Sequence, residues 1–283
     1  DEELCSDLFE FSTLSRTWRR LASSAFCRLY GQSCCSFESK LIFFGGSSGK
    51  QYSNETVFFD VKQMKWEKIS TTGPKPTPRY KHQAVVVGHS MFILGGGNYR
   101  PARDKMDVHM LNLKTLEWQE VKCTGMPPEA RVAHTCQYDP LSNTIYVWGG
   151  FNGRLVRLKD FYALDLGTMK WDSIHCSTGC PSARAFHASC LCEGSLYIFG
   201  GADGHKRHAD VWKYQFHLRI PSLMVLAAQS VVNKVSDVRD TYGDILPDEV
   251  VDGIEKINIG ADGFGRCQMS PKQENSSCSA FFS

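Results

Sequence analysis

Histidine and cysteine are the residues of this 283-residue chain with most chemistry to offer, nine of the first and twelve of the second. His175, Cys176 and Cys180 come nearest to the spacing of a metal site. A structural zinc takes four ligands, and no second Cys-x-x-Cys-like pair faces them, so no metal is expected. His205 and His208 share one loop and do not repeat elsewhere, but a copper centre needs a cluster of His, Tyr or Cys that this pair does not supply. His82, His134 and His187 instead recur, each three residues after an arginine (Arg79, Arg131, Arg184). Side chains that repeat with a scaffold serve the scaffold, so these imidazoles are expected as core hydrogen-bonders and the arginines as ties between repeats. The sequence has no G-x-S-x-G, His-Glu-x-x-His, P-loop or G-x-G-x-x-G pattern. No catalytic residue and no cofactor are expected. The cysteines fall within strand-like runs (Cys136, Cys190, Cys192) or side by side (Cys34, Cys35), without the spacing of a disulfide framework, and read as free thiols.

The chemistry that remains is recognition. Four segments, "SSGKQYSN", "GNYRPARDKM", "FNGRLVRLK" and "ADGHKRHA", carry Lys50, Arg100, Arg103, Lys105, Arg154, Arg157, Lys159, Lys206 and Arg207 against only Asp104 and Asp203. Arginine forks fit carboxylates in a bidentate fashion, so an acidic or carboxylate-ended peptide is the ligand this bias predicts. Tyr99, Phe151 and Phe186 are the aromatic anchors such a pocket needs. The candidate ligand-binding set is Lys50, Tyr80, Lys81, Asn98, Tyr99, Arg100, Phe151, Asn152, Arg154, Phe186, Lys206 and Arg207.

What must position these loops is a repeat. Gly-Gly stands at 45–46, 95–96, 149–150 and 200–201, each time after an apolar run (LIFF, MFIL, IYVW, LYIF). Trp18, Trp66, Trp118 and Trp171 recur in phase, each 11 residues after an acidic residue, Asp7, Glu55, Asp107 and Asp160. The Arg-x-x-His signature is a third marker, with Arg28/Gly31 as a degenerate fourth copy. Each period divides into four short alternating runs, for example "HQAVVVG", "SMFILGG", "MDVHMLNL" and "LEWQEV", joined by turn-rich segments. Four antiparallel strands in a period of this length make a propeller blade. The doubled glycine lets the backbone bend where blades crowd, and the tryptophan supplies buried surface between blades.

The sequence resembles the Kelch-repeat family over residues 5 to about 216. The fold expected is a mostly-β Kelch β-propeller occupying residues 1–218, with four recognisable blades (28–72, 79–123, 131–176 and 184–216) and a half blade (5–22) in front, and a short α-helical module after it. Propellers close to remove their edge strands, so further blades are expected outside this chain.

After Phe216 the period changes. "IPSLMVLAAQSVVNKV" places Leu223, Leu226, Ala227 and Val231 at helical spacing, with Ser222 as N-cap. "GDILPDEVVDGIEKI" puts Pro247, Asp248 and Glu249 in the first turn of a second helix, with Leu246, Val250 and Ile254 on one face. A helical module over 219–258 is expected, and a disordered tail over 259–283 from its Gly- and Ser-rich composition. Ser222, Leu223, Ala227 and Val231 resemble the BC box that binds elongin C, with Ala227 where that motif most often has Cys. Leu246, Pro247, Val250 and Ile254 resemble a cullin box. The whole chain thus resembles the Kelch substrate receptors of elongin BC–cullin RING ubiquitin ligases, some of which recognise the C-terminal end of their substrates. That resemblance implies elongin BC and a cullin as partners. The alternative is a Kelch scaffold with no ligase connection.

Composition narrows the rest. A formal charge of +2 offers no global field for nucleic acid, and no stacking residues interleave with the basic ones. No apolar run approaches the roughly 20 residues of a membrane helix. A cytoplasmic or nuclear protein that binds other proteins, without nucleic-acid or membrane partners, is the expectation.

Overall fold

The computed structural model describes residues 4–24, 28–101, 103–176, 179–192, 194–216 and 265–266. A two-stranded ribbon, β1 (Asp7–Ser12) and β2 (Thr17–Ser23), precedes four sheets. The first blade is β3 (Ser33–Phe37), β4 (Lys40–Phe44), β5 (Thr56–Asp60) and β6 (Lys65–Ile69). The second is β7 (Gln83–Val87), β8 (Ser90–Leu94), β11 (Val108–Asn112) and β12 (Glu117–Glu120), with a small hairpin, β9 (Gly97–Asn98) and β10 (Arg100–Pro101), raised between β8 and β11. In the third, β14 (Thr135–Asp139), β15 (Thr144–Trp148), β16 (Phe161–Asp165) and β17 (Lys170–Ile174) are extended at the outer edge by β13 (Thr124–Gly125), parallel to β17. The fourth is β18 (Ala188–Cys192), β19 (Ser195–Phe199), β20 (Val211–Gln215) and β21 (Gly265–Arg266).

This is the propeller arrangement that the repeat predicts, with sequential antiparallel strands in each blade. Second strands such as SMFIL and TIYVW are buried almost throughout because blades pack on both faces, which explains their unbroken apolar runs. Outer strands such as EWQE are exposed except at the tryptophan. The core is a chain of clusters between blades: Trp118 joins Met91, Ile93 and Leu111 of its own blade to Ile42, Phe44 and Phe58 of the blade before. Trp171 does the same with Phe92, Leu94 and Val108.

Three details correct the sequence expectations. The fourth blade takes an outer strand from residues 265–266, inside the tail expected to be disordered, where Arg266 pairs with Trp212. The degenerate repeat marker is Leu29/Gln32, one residue later than Arg28/Gly31: Gln32 directly precedes β3, as His82 directly precedes β7. With no arginine in phase, the acidic marker Glu55 pairs with Lys68 and Lys75 instead. Finally, the periodic arginines tie blades by their backbone, while their guanidinium groups stay within their own blade. The helical module at 219–258, with Ser222, Leu223, Ala227, Val231, Leu246, Pro247, Val250 and Ile254, lies outside the described residues.

Candidate functional site: the propeller mouth

Each repeat of the Arg-x-x-His segment builds the same joint. Arg79 donates to both carboxylate oxygens of Asp107 (3.0 and 2.8 Å) and to the Gly95 carbonyl (2.7 Å). Arg131 with Asp160 and Gly149, and Arg184 with Asp210 and Gly200, repeat the set. All three arginines are buried, so each needs this bidentate partner. Asp210 is accordingly held below the usual carboxylate range, first by the Arg184 hydrogen bond. The carbonyls of Arg79, Arg131 and Arg184 accept from Gly46, Gly96 and Gly150 of the preceding blade. A Cβ on Gly96 would stand 2.5 Å from His82 Cβ, which is why the doublet tolerates no side chain. His82 reaches back to Ser33 Oγ (2.8 Å) and His187 to Thr135 Oγ1 (2.9 Å), and burial pushes both imidazoles down to about 3. These are neutral structural groups.

The residue between that arginine and histidine, next to the histidine, faces the mouth. Gly31, Lys81, Ala133 and Phe186 occupy this place in successive blades, all in the left-handed region with φ from 52° to 65°. They are held there by a relay of backbone bonds: Lys81 N to Gly31 O (2.7 Å), Ala133 N to Lys81 O (2.9 Å) and Phe186 N to Ala133 O (3.0 Å). Such a backbone costs strain for Lys and Phe, and the relay over-determines it.

Above this relay lies a cavity of about 400 Å³ lined by Lys81, Tyr99, Phe151, Leu155, Arg157, Phe186 and the Asp203–His205 turn. Lys81 Nζ sits 4.5 Å from the Phe186 ring centre and 4.7 Å from that of Tyr80. The Arg157 guanidinium lies 4.8 Å from the Phe151 ring, which tilts against Phe186 at 5.8 Å. Among the described residues neither cation has an acidic partner; Arg157 donates from Nη1 to the Leu155 carbonyl (3.0 Å), while its Nε is buried without a hydrogen-bond partner. Burial lowers the Lys81 ammonium, and the nearby Arg157 lowers it further. Asp203 is the acidic residue of the cavity wall, but its carboxylate is engaged by its own turn. It accepts from His205 N (2.8 Å) and Lys206 N (2.9 Å) and meets His208 Nε2 at 3.0 Å. Backbone N–H groups therefore hold it down at about 2.

With that geometry, comparison with known proteins is decisive. The KLHDC2/KLHL20/DRC7 Kelch-repeats domain matches residues 1–104 and 81–220. The chain belongs to the Kelch-repeat family. It is 29% identical to rat Kelch domain-containing protein 10 over 72% of its length and 51% of that protein. It is 28% identical to the human protein of that name, over 72% and 47% respectively. A Drosophila leucine-zipper-like transcriptional regulator 1 homolog is 30% identical over 65% of this chain and 19% of its own length. The chain thus spans about half the length of the first of these relatives.

Within this Kelch scaffold the predicted ligand residues separate. Lys81, Tyr99, Phe151 and Phe186 line one cavity. Tyr80 lies beneath Lys81 and is buried. Lys50, Arg100, Arg154 and Lys206 are exposed outside it, and Asn98 lies on the β9–β10 hairpin. Arg207 lines a second hollow with Phe186, Phe199 and His208. Asn152 is buried and closes its own loop, accepting from Arg154 N and Val156 N (both 3.0 Å) and donating to Glu129 (3.1 Å). Arg103 is paired with Glu120. Leu155, Arg157 and the 203–205 turn join the cavity without having been singled out as ligand residues. Arg157 stands among the nine loop cations with no sequence signal to set it apart; the structure does so by the bridge Phe151↔Arg157, which repeats as Ala202↔Arg207 in the next blade.

Proposed function

We propose that this Kelch chain is the substrate-recognition subunit of an elongin BC–cullin RING ubiquitin ligase, binding an acidic or carboxylate-ended peptide at the propeller mouth. The observation that carries the ligand half is the pair Lys81 and Arg157, two cations without acidic partners among the described residues, packed on aromatic rings around one open cavity. A carboxylate would neutralise both and give the buried Arg157 Nε an acceptor. The ligase half rests on the BC-box-like residues Ser222, Leu223, Ala227 and Val231 and the cullin-box-like residues Leu246, Pro247, Val250 and Ile254, a helix-in-groove mode of adaptor binding. A receptor of this kind performs no chemistry; it raises the effective concentration of substrate lysines near a charged conjugating enzyme, in the cytoplasm or nucleus.

The test is a pull-down from cells with the intact chain beside Leu223→Asp. Elongins B and C and a cullin should co-purify with the first and be lost from the second. Their absence from both overturns the ligase half and leaves a Kelch interaction module. Mixing the purified chain with short acidic peptides checks the ligand half: Lys81→Gln with Arg157→Gln should weaken binding at least tenfold, and unchanged affinity overturns it.

A further inference from the structure

The mouth is chemically divided, and the division does not follow from the scaffold. In each blade the residue after the periodic arginine (Leu29 in the first) forms a bridge to the segment following the glycine doublet. Tyr30 bridges Ser47, Tyr80 bridges Gly97, Val132 bridges Phe151 and Ala185 bridges Ala202. The same position is thus phenolic in the first two blades and aliphatic in the last two. A second bridge in the same segment pairs Ser47 with Tyr52, Phe151 with Arg157 and Ala202 with Arg207, again phenolic in the first blade and cationic in the third and fourth. The fold accepts Val, Ala and Arg at these positions, so packing does not dictate tyrosine.

The tyrosines meet around one of their number. Tyr80 is contacted by Tyr30 edge-on (centres 5.8 Å apart) and by Tyr52 (5.2 Å), and Tyr99 is the fourth member of the group. Burial raises the Tyr80 phenol, and Tyr52, Tyr30 and Tyr99 each raise it further. Tyr99 and Tyr30 are largely exposed, at 58% and 42%. Tyr99 stands at the tip of the β9–β10 hairpin with φ 78°, a conformation unusual for a tyrosine, and lines the cation-bearing cavity as well. Lys81 joins the two halves, its ammonium between Tyr80 and Phe186.

We infer that the tyrosines of the first two blades form a second subsite, which takes an aromatic side chain of the same peptide whose acidic group is bound by Lys81 and Arg157. This rests on the peptide-binding reading above and adds a second requirement to it. Three arguments select an aromatic residue. The near ring of Tyr80 already carries a cation, and with Arg157 close by a basic ligand side chain is repelled. A carboxylate gains more from the cations of the other half. An aromatic ring packs edge-on or tilted against exposed phenols while their hydroxyls stay wet, at little entropic cost because tyrosine is stiff. The distance also fits: one ammonium touches rings of both halves, and an extended peptide advances 3.3–3.6 Å per residue, so acid and aromatic stand within about three positions of each other.

The experiment measures fluorescence anisotropy of the full chain with short labelled peptides, identical in an acidic C-terminal end and differing at the second residue from it: Trp, Ala or Lys. The Trp peptide should bind about three- to tenfold more tightly than the Ala peptide, the gain expected of an aromatic pair, and the Lys peptide more weakly than either. Tyr30→Ala and Tyr99→Ala, both at exposed positions, should each erase the Trp-over-Ala preference, and Tyr30→Ala, whose side chain lies outside the cation-bearing cavity, should leave the Ala peptide's affinity unchanged. Equal binding of the Trp and Ala peptides by the wild-type chain, or a preference that survives both tyrosine variants, overturns the subsite while acidic-peptide recognition stands. Failure of every acidic peptide to bind overturns the recognition reading and the subsite together.

Discussion

Trp18 and Trp171 stand at the same place in the repeat, in the outer strand and 11 residues after an acid, yet one is 70% exposed and the other fully buried. The cause lies in what each finds on its N-terminal side. Trp171 packs on Phe92 and Leu94 of the blade before it. Among the described residues the ring beside Trp18 is Phe11 of its own ribbon, at 4.9 Å, and the ribbon's Phe9, Phe11 and Leu14 are exposed with it. The other face of the ribbon, with Leu8 and Leu21, is covered because the first blade follows it. Burial in a propeller is thus a property of the joint between two sheets, and a residue's place in the period fixes only which joint it belongs to.

The largest effect expected from this contrast is in stability. Trp171→Ala should cost about 3–5 kcal/mol and Trp18→Ala no more than about 0.5, measured by urea unfolding of the whole chain. A similar loss for both would show that the ribbon's outer face is covered in solution. The arginine joints sharpen the comparison at a polar position. The Asp107 side chain is 4% exposed and that of Asp160 37%. Asp107→Ala should therefore cost about 3–5 kcal/mol by leaving Arg79 buried and unpaired. Asp160→Ala should cost less, because water reaches the place its carboxylate leaves; equal costs would refute that account.

A smaller effect follows from the histidines. Their folded pKa values are depressed, His82 and His187 to about 3 and His134 well below its ordinary value, whereas the unfolded chain takes up protons near pH 6.5. Between these limits the unfolded state binds more protons, so stability is complete above pH 6.5 and falls as pH drops toward 3. Each histidine contributes a slope of about 1.4 kcal/mol per pH unit. His82→Asn should reduce the acid-side slope by one such proton, and an unchanged slope would mean that His82 is not held neutral. Smallest in free energy is thiol reactivity. Cys190 and Cys192, exposed on β18, should label with a thiol reagent in the native protein, while buried Cys136, whose thiol burial pushes up, should label only on unfolding.

Much of the skeleton is legible in the residues. Glycine doublets, tryptophans, acids and Arg-x-x-His segments share a period because each serves one repeated joint, and strand order follows from that period. The marker of the first blade was misplaced by one residue because Leu29 replaces the arginine that would have set the phase, and only the position of β3 restores it. The outer strand of the fourth blade was not legible at all: Gly265–Arg266 lies about 50 residues beyond β20, in a stretch with no apolar alternation.

The candidate site was legible in its residue types and not in its membership. The sequence by itself determined that loops rich in cations and aromatics would stand on a propeller scaffold, because period and alternation are local properties of the chain. The tertiary structure decided that Lys81 and Phe186, 105 residues apart, touch, that Asn152 turns inward to close its own loop, and that Arg103 is neutralised by Glu120. Those choices depend on which residues take the left-handed backbone at the mouth and how successive blades bond to one another there, and such contacts exist only once the blades are assembled.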